Sequence, residues 1–290
     1  MNVERPIFIT GVGRSGSTMF HELVSFHPET AWLSGLNDRF PDRPEINRAY
    51  LQSVDLPVVG DRARTAITPG EAFAFWEHHC RGFRRPCRDL VADDLTESSR
   101  RTMPAMLGRN LTPRRHRLAH KLTGWPRIGY LHAMFPDAKF VHIARDGRAV
   151  ANSMLHVEFW WGWRGPENWR WGMLSPELQQ EWEAHGKSFA ALAAIEWKLM
   201  MQAHEAAVAR VPAGSVLDIR YEEICEDPVG HIRDIIAFCD LPWNDDFERR
   251  VGRANIRNTN DKWRRDLNAR QQADIESVLA DALPRYGYST

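Results

Sequence analysis

The sequence predicts an α/β fold in three layers, a mainly parallel central sheet flanked by helices. Three observations carry this expectation. Four short strand-like stretches recur along the chain, PIFIT at 6–10, RLAHKLT at 117–123, KFVHIA at 139–144 and SVLDIR at 215–220. Helical patterns separate them, and alternation of this kind favours parallel strands joined by helical crossovers. At the first junction a glycine-rich turn, GVGRSGST at 11–18, leads straight into a helix. A strand, a glycine loop and a helix N-terminus together form an anion site, because loop amides and the helix dipole both present positive potential.

Taken in order, the first helix is expected from Thr18 to about Phe26, where His27-Pro28 stops it. Residues 29–70 hold Pro41, Pro44 and Pro57 and read as loops with short helices. A helix follows Pro69 in GEAFAFWEHH, with Glu71 at its N-terminus, where the dipole favours an anion. Residues 81–101 are basic and irregular, and a polar helix covers about 96–110. Helices at about 127–134 and 146–155 flank the 139–144 strand. The stretch 156–182 is expected to be irregular and broken by glycine. Phe189, Leu192, Ile195, Leu199, Ala203 and Ala206 then keep helical spacing through about 186–210. Further helices are expected at about 228–239, 244–252 and 268–282. With no repeat, low-complexity tract or long linker, residues 1–290 read as one domain.

The loop nearly fits the nucleotide-binding pattern G-x-x-x-x-G-K-[ST], with Gly11, Gly16 and Thr18 in place. Ser17 stands where that pattern needs lysine, and the cation is Arg14 instead. A kinase or ATPase would need the lysine on its β- and γ-phosphates. A second anchor lies in KFVHIARDGRAVANSM at 139–154. Arg145 sits at the C-terminal edge of a strand, where open α/β sheets bind ligands, and its planar fork suits phosphate. Taken alone, Arg-Asp-Gly reads equally well as a surface turn.

Together the two stretches resemble the signatures of the sulfotransferase family. GRSGST after an apolar strand resembles the family's 5′-phosphosulfate loop, and RDGRAVANS at 145–153 resembles its RDxRxxxxS motif. The pair lies about 130 residues apart. The resemblance implies a P-loop-type fold and 3′-phosphoadenosine 5′-phosphosulfate (PAPS) as donor, with 3′,5′-bisphosphoadenosine (PAP) as product. It implies that Arg14, Ser15, Gly16, Ser17 and Thr18 hold the 5′-phosphosulfate, and that Arg145 and Ser153 hold the 3′-phosphate. Lys121, in HKLTGWPRIGYLHAMFPDAKF, matches a lysine that stabilises charge on the transferring group. IRYEEICEDP at 219–228 and NDKWRRDL at 260–267 also resemble family segments, and the resemblance implies that Tyr221 lies against the nucleotide and Lys262 reaches its phosphates. The arginine loop looks closer to bacterial and Golgi-type members than to the cytosolic phenol and steroid enzymes. No metal is implied.

An alcohol acceptor also needs a base. Relatives with the arginine loop often carry a glutamate beyond the His-Pro pair, but here WLSGLND follows, with Gly35 near that place. Glu71 is the first candidate, with Asp38, His78 and His79 as alternatives. Of twelve tryptophans, six fall between Trp160 and Trp182, and they read either as a core patch or lid or as the wall of an acceptor pocket.

The 43% of hydrophobic residues is ordinary for a soluble globular protein, and zero formal net charge argues against a broad nucleic-acid or membrane surface. There is no run of about 18 apolar residues, and MNVERPIF lacks the long apolar core expected of a secretory signal. Cys80, Cys87, Cys225 and Cys239 form no metal knuckle and are expected as free thiols, in keeping with a cytoplasmic setting. The partner expected is a small-molecule or carbohydrate acceptor. The competing readings are a P-loop kinase or nucleotidase using ATP and magnesium, and a non-catalytic nucleotide- or sulfate-binding module.

Overall fold

The structure, a computed structural model, describes residues 1–58 and 60–289, with Asp61 described by its backbone alone. Five strands form the sheet: β1 (Ile7–Gly11), β2 (Thr30–Ala31), β3 (Arg117–Thr123), β4 (Lys139–Ala144) and β5 (Val216–Arg220). Their order is β2-β3-β1-β4-β5, and every neighbouring pair is parallel. The expected mainly parallel α/β sheet is therefore present. β1 is central, with β3 on one side and β4 on the other, so connections leave its two sides in opposite directions. A ligand crevice opens at such a switch point, beyond the C-terminal strand ends.

Side-chain alternation explains the layers. Ile7 and Ile9 of β1 join Val141 and Ile143 of β4 in a core with Leu23, Ile232 and Ile236. Phe8 and Phe140 point the other way, into a core with Trp76, Leu107 and Leu131. A third core joins the helices Gly147–Leu155, Phe189–Val208 and Ala269–Leu279. These apolar faces are why the predicted helical segments are helices in the structure.

Some boundaries differ from expectation. β2 has only two residues, too few to show a period of two, and it is held by pairing with Arg117 and Leu118. The stretch 156–182 is not wholly irregular. A helix begins at Pro176, where Ser175 accepts from the Leu178 amide and proline takes the first turn. Another helix, Tyr221–Glu226, follows β5 without a turn between them. No helix among the described residues is long and apolar enough to cross a membrane. The four cysteines are free.

Candidate active site

The glycine loop is shaped by close packing. A Cβ on Gly11 would lie 2.7 Å from the Ile143 carbonyl oxygen, so β4 reaches β1 only because residue 11 is glycine. The Ser15 amide donates to the Val12 carbonyl at 3.1 Å and closes the turn. Gly16 has φ +93°, and a Cβ there would lie 2.4 Å from the Tyr221 ring. Gly16 also precedes the helix Ser17–Ser25, which has no side-chain cap. Its first intrahelical bond runs from the Phe20 amide to the Gly16 carbonyl. The amides of Ser17, Thr18 and Met19 thus have no helical acceptor. These three residues line a cavity of about 610 Å³.

Strand register brings up the next groups. Lys121 pairs with Ile9 and Thr123 with Gly11, so both side chains leave the same face of β3 beside the loop. Lys121 Nζ donates to Thr18 Oγ1 at 2.8 Å and lies 3.4 Å from Glu71 Oε1. Thr123 Oγ1 donates to the same Glu71 oxygen at 2.6 Å. Glu71 lies before the helix Phe73–His79 and not in its first turn, because Ala72 takes a left-handed conformation (φ 46°) as the cap. What fixes Glu71 is therefore β3 and not a helix dipole. Glu71, Lys121 and Thr123 all line the cavity.

The opposite wall is built around Arg145. Its Nε donates to Asn260 Oδ1 at 2.8 Å, Nη2 to Thr259 Oγ1 at 2.9 Å and Nη1 to the Arg14 carbonyl at 3.0 Å. The guanidinium stacks over Tyr221 at 4.5 Å. Burial lowers the Arg145 pKa and raises that of Tyr221. The Tyr221 hydroxyl donates to the Arg257 carbonyl at 2.6 Å. Arg14, exposed and at φ 70°, donates from Nε to Ser153 Oγ at 2.9 Å. The loop and the Arg145–Ser153 segment thus meet through Arg14.

Most of the residues anticipated from sequence converge here, and some do not. Gly16, Arg14, Ser17, Thr18, Lys121, Glu71, Arg145 and Tyr221 line one cavity. Ser15 is buried outside the cavity wall, with its hydroxyl unpartnered near Gly11 and its amide bonded to the Val12 carbonyl. Lys262 is exposed at the start of the helix Lys262–Asp266 and is not part of the cavity wall. That segment reaches Arg145 through Thr259 and Asn260, and anchors itself by burying Trp263 beneath Arg148. The other base candidates point elsewhere. Asp38 accepts from the Ala74 and Phe75 amides, His78 pairs with Asp42, and His79 bonds the Pro41 carbonyl.

Part of the cavity wall is aromatic. Trp160, Trp161, Trp171 and Phe159 line it, while Trp169 and Trp182 are buried in the core. The tryptophans are thus both core and wall. Trp171 packs on Gly124, where a Cβ would lie 2.4 Å from the indole. Two charged residues not anticipated from sequence sit among them. Buried Glu196 accepts from Trp160 Nε1 at 2.7 Å, and burial raises its pKa. Arg170 stacks on Trp171 at 4.3 Å, and burial lowers its pKa while Glu196 and Glu71 oppose that. Glu196 had one visible signal, a lone acid within the apolar run AALAAIEWKLMM.

Comparison with known proteins agrees with this geometry. A family model described as "Sulfotransferase family" matches residues 6–245. The chain is 24% identical over 280 residues to an uncharacterized protein of Aquifex aeolicus, covering 90% of this chain and 31% of that one. It is 24% identical over 302 residues to protein-tyrosine sulfotransferase A of Caenorhabditis elegans, covering 97% of this chain and 67% of the relative. The crystal structure of sulfotransferase STF9 from Mycobacterium avium shares the fold, with a TM-score of 0.62 at 18% identity, over 100% of this chain and 78% of that one. With a central parallel sheet, an arginine-bearing glycine loop and a family match over most of its length, the chain belongs to the sulfotransferase family.

Proposed function

We propose that the protein moves a sulfuryl group from PAPS to a hydroxyl or amine of a small-molecule, lipid or carbohydrate acceptor. The observation that carries this reading is the convergence of the 11–18 loop, Lys121 with Glu71, and Arg145 on a single cavity. The residues present fit the donor. Three helix-start amides and Arg14 suit the 5′-phosphosulfate. Arg145 has five N–H groups and uses three on protein oxygens, which leaves two for a 3′-phosphate. The Tyr221 ring, held by Arg145 and Arg257, gives the nucleotide a flat, rigid neighbour.

In the reaction the acceptor oxygen or nitrogen forms a bond to sulfur while the bond from sulfur to the 5′-phosphate oxygen breaks in line. Catalysis of this kind is positioning plus charge stabilisation. Lys121 and Arg14 meet negative charge on the sulfuryl oxygens and on the leaving phosphate. Glu71 takes the acceptor proton. It already accepts from Thr123 and faces Lys121, and these contacts hold its carboxylate in the cavity wall. The indoles exclude water, which limits hydrolysis of the donor. Because cations of the chain surround the group, no metal is needed and turnover should survive chelation.

Thermal shift separates this reading from its rivals. PAP should raise the melting temperature without added metal. Stabilisation by ATP–magnesium alone would overturn the sulfotransferase reading in favour of a P-loop kinase. Stabilisation by PAP with no transfer to any of a broad set of phenols, sugars and lipid alcohols would favour a binding module.

A further inference from the structure

A second cavity, of about 570 Å³, opens on the other side of the β4–β5 edge and shares no described lining residue with the first. His142 on β4 and Asp218 on β5 are register partners, so their side chains leave the sheet on the same face. The helix Phe189–Val208 covers that face and presents His204. Asp218 Oδ1 lies 2.9 Å from His142 Nδ1 and 2.6 Å from His204 Nε2. The two imidazoles are buried, but the Asp218 side chain is 59% exposed and faces the cavity.

From this convergence we infer that His142, His204 and Asp218 bind one divalent transition-metal ion of the zinc class. One donor atom from each residue lies within 4.8 Å of the others. Two imidazoles and one carboxylate are a borderline donor set that suits zinc, cobalt or iron(II), and leave further coordination positions open. Metal–ligand bonds of about 2.0–2.1 Å put tetrahedral donor atoms about 3.3 Å apart. The two Asp218–imidazole separations, 2.9 and 2.6 Å, must widen by under 1 Å, and the two imidazole nitrogens, within 4.8 Å of each other, must settle at that same spacing. The imidazoles now stack at 3.5 Å between centroids, with planes 15° apart, so one ring must also tilt to bring its lone pair onto the ion.

In the hydrogen-bonded trio His142 Nδ1 and His204 Nε2 donate to the Asp218 carboxylate, so an ion that binds there takes the place of those two protons. Nearby Arg220 is already paired with Glu223 at 2.8 Å. Glu205 accepts from the Tyr286 hydroxyl at 2.6 Å and faces the same cavity. The alternative is a closed hydrogen-bonded trio that needs no ion.

The test is titration of the chelator-treated full chain with Zn²⁺ by calorimetry and with Co²⁺ by its visible ligand-field bands. Wild type should take up one equivalent, with Co²⁺ bands of low-symmetry nitrogen–oxygen coordination. Asp218→Ala and His204→Gln should each weaken binding at least tenfold, with the PAP thermal shift retained as evidence of folding. Asp42→Ala, which disrupts the exposed Asp42–His78–His79 cluster, should leave the high-affinity site intact. No uptake by wild type, unchanged uptake in both Asp218→Ala and His204→Gln, or loss in Asp42→Ala alone would overturn the proposal.

Discussion

At the loop end of the active-site cavity, functional groups leave the backbone at strand ends and at one helix start. Their positions follow from register, as with Lys121 beside Ile9 and Thr123 beside Gly11. At the tryptophan end, position depends on side chains holding one another. Trp160 hangs on Glu196 by its indole N–H, and Trp171 lies on Gly124 and under Arg170. The contrast separates two tasks. Under the proposed function, the donor would be met by backbone-defined geometry and the acceptor by a surface that side-chain replacement can reshape.

If that division is real, damage should stay on its own side. Lys121→Ala should give the largest effect, a fall in turnover of about a hundredfold, or roughly 3 kcal/mol, with PAP affinity within about threefold of wild type. Single-turnover rates and PAP titration check it, and unchanged turnover would remove Lys121 from the chemistry. Trp160→Phe should cost about 1–3 kcal/mol of stability, because it takes a hydrogen bond from the buried Glu196 carboxyl. PAP affinity of the folded variant should stay at the wild-type value, and a parallel loss would mean that the two ends are coupled. The smallest effect concerns His21, which packs behind the loop and bonds the Ala119 carbonyl at 3.1 Å. Burial lowers its pKa to about 3, so the folded protein keeps it neutral while the unfolded chain protonates it near pH 6.5. Its contribution is full above about pH 6.5 and is lost as pH falls toward 3. Between pH 7 and 6 that loss is about 0.7 kcal/mol. In denaturant melts, His21→Gln should remove this share of the pH dependence.

The same contrast governs what could be read before the fold was known. Four strands announced themselves as apolar runs, and the loop and Arg145 as motifs at their ends. Those features depend on neighbours in sequence. Two-residue β2 is defined only by its partner strand. The helix Tyr221–Glu226 starts where β5 stops, with no glycine or proline to mark the change. The helix from Pro176 did carry a signal, serine then proline, but the surrounding tryptophans masked it. Arg170 could not be placed beside Glu196 and Glu71 from sequence, since folding alone joins positions so far apart. Lys262 stays exposed and outside the cavity wall, while Thr259 and Asn260 of the same stretch reach Arg145.

The bonds from Thr259 and Asn260 to Arg145 matter for where the chain can be cut. The family match stops at residue 245, yet two of the three acceptors holding the Arg145 fork come after it. So do the Arg257 carbonyl under Tyr221 and the helix Ala269–Leu279, whose Ile275 and Leu279 bury against the third core. A fragment ending at the family boundary would keep both anion motifs intact in sequence. It would also leave Arg145 and Tyr221 free to turn and strip one flank of that core. Expression boundaries for this protein should therefore be set by the tail that braces the motifs, well past the last residue that the motifs themselves define.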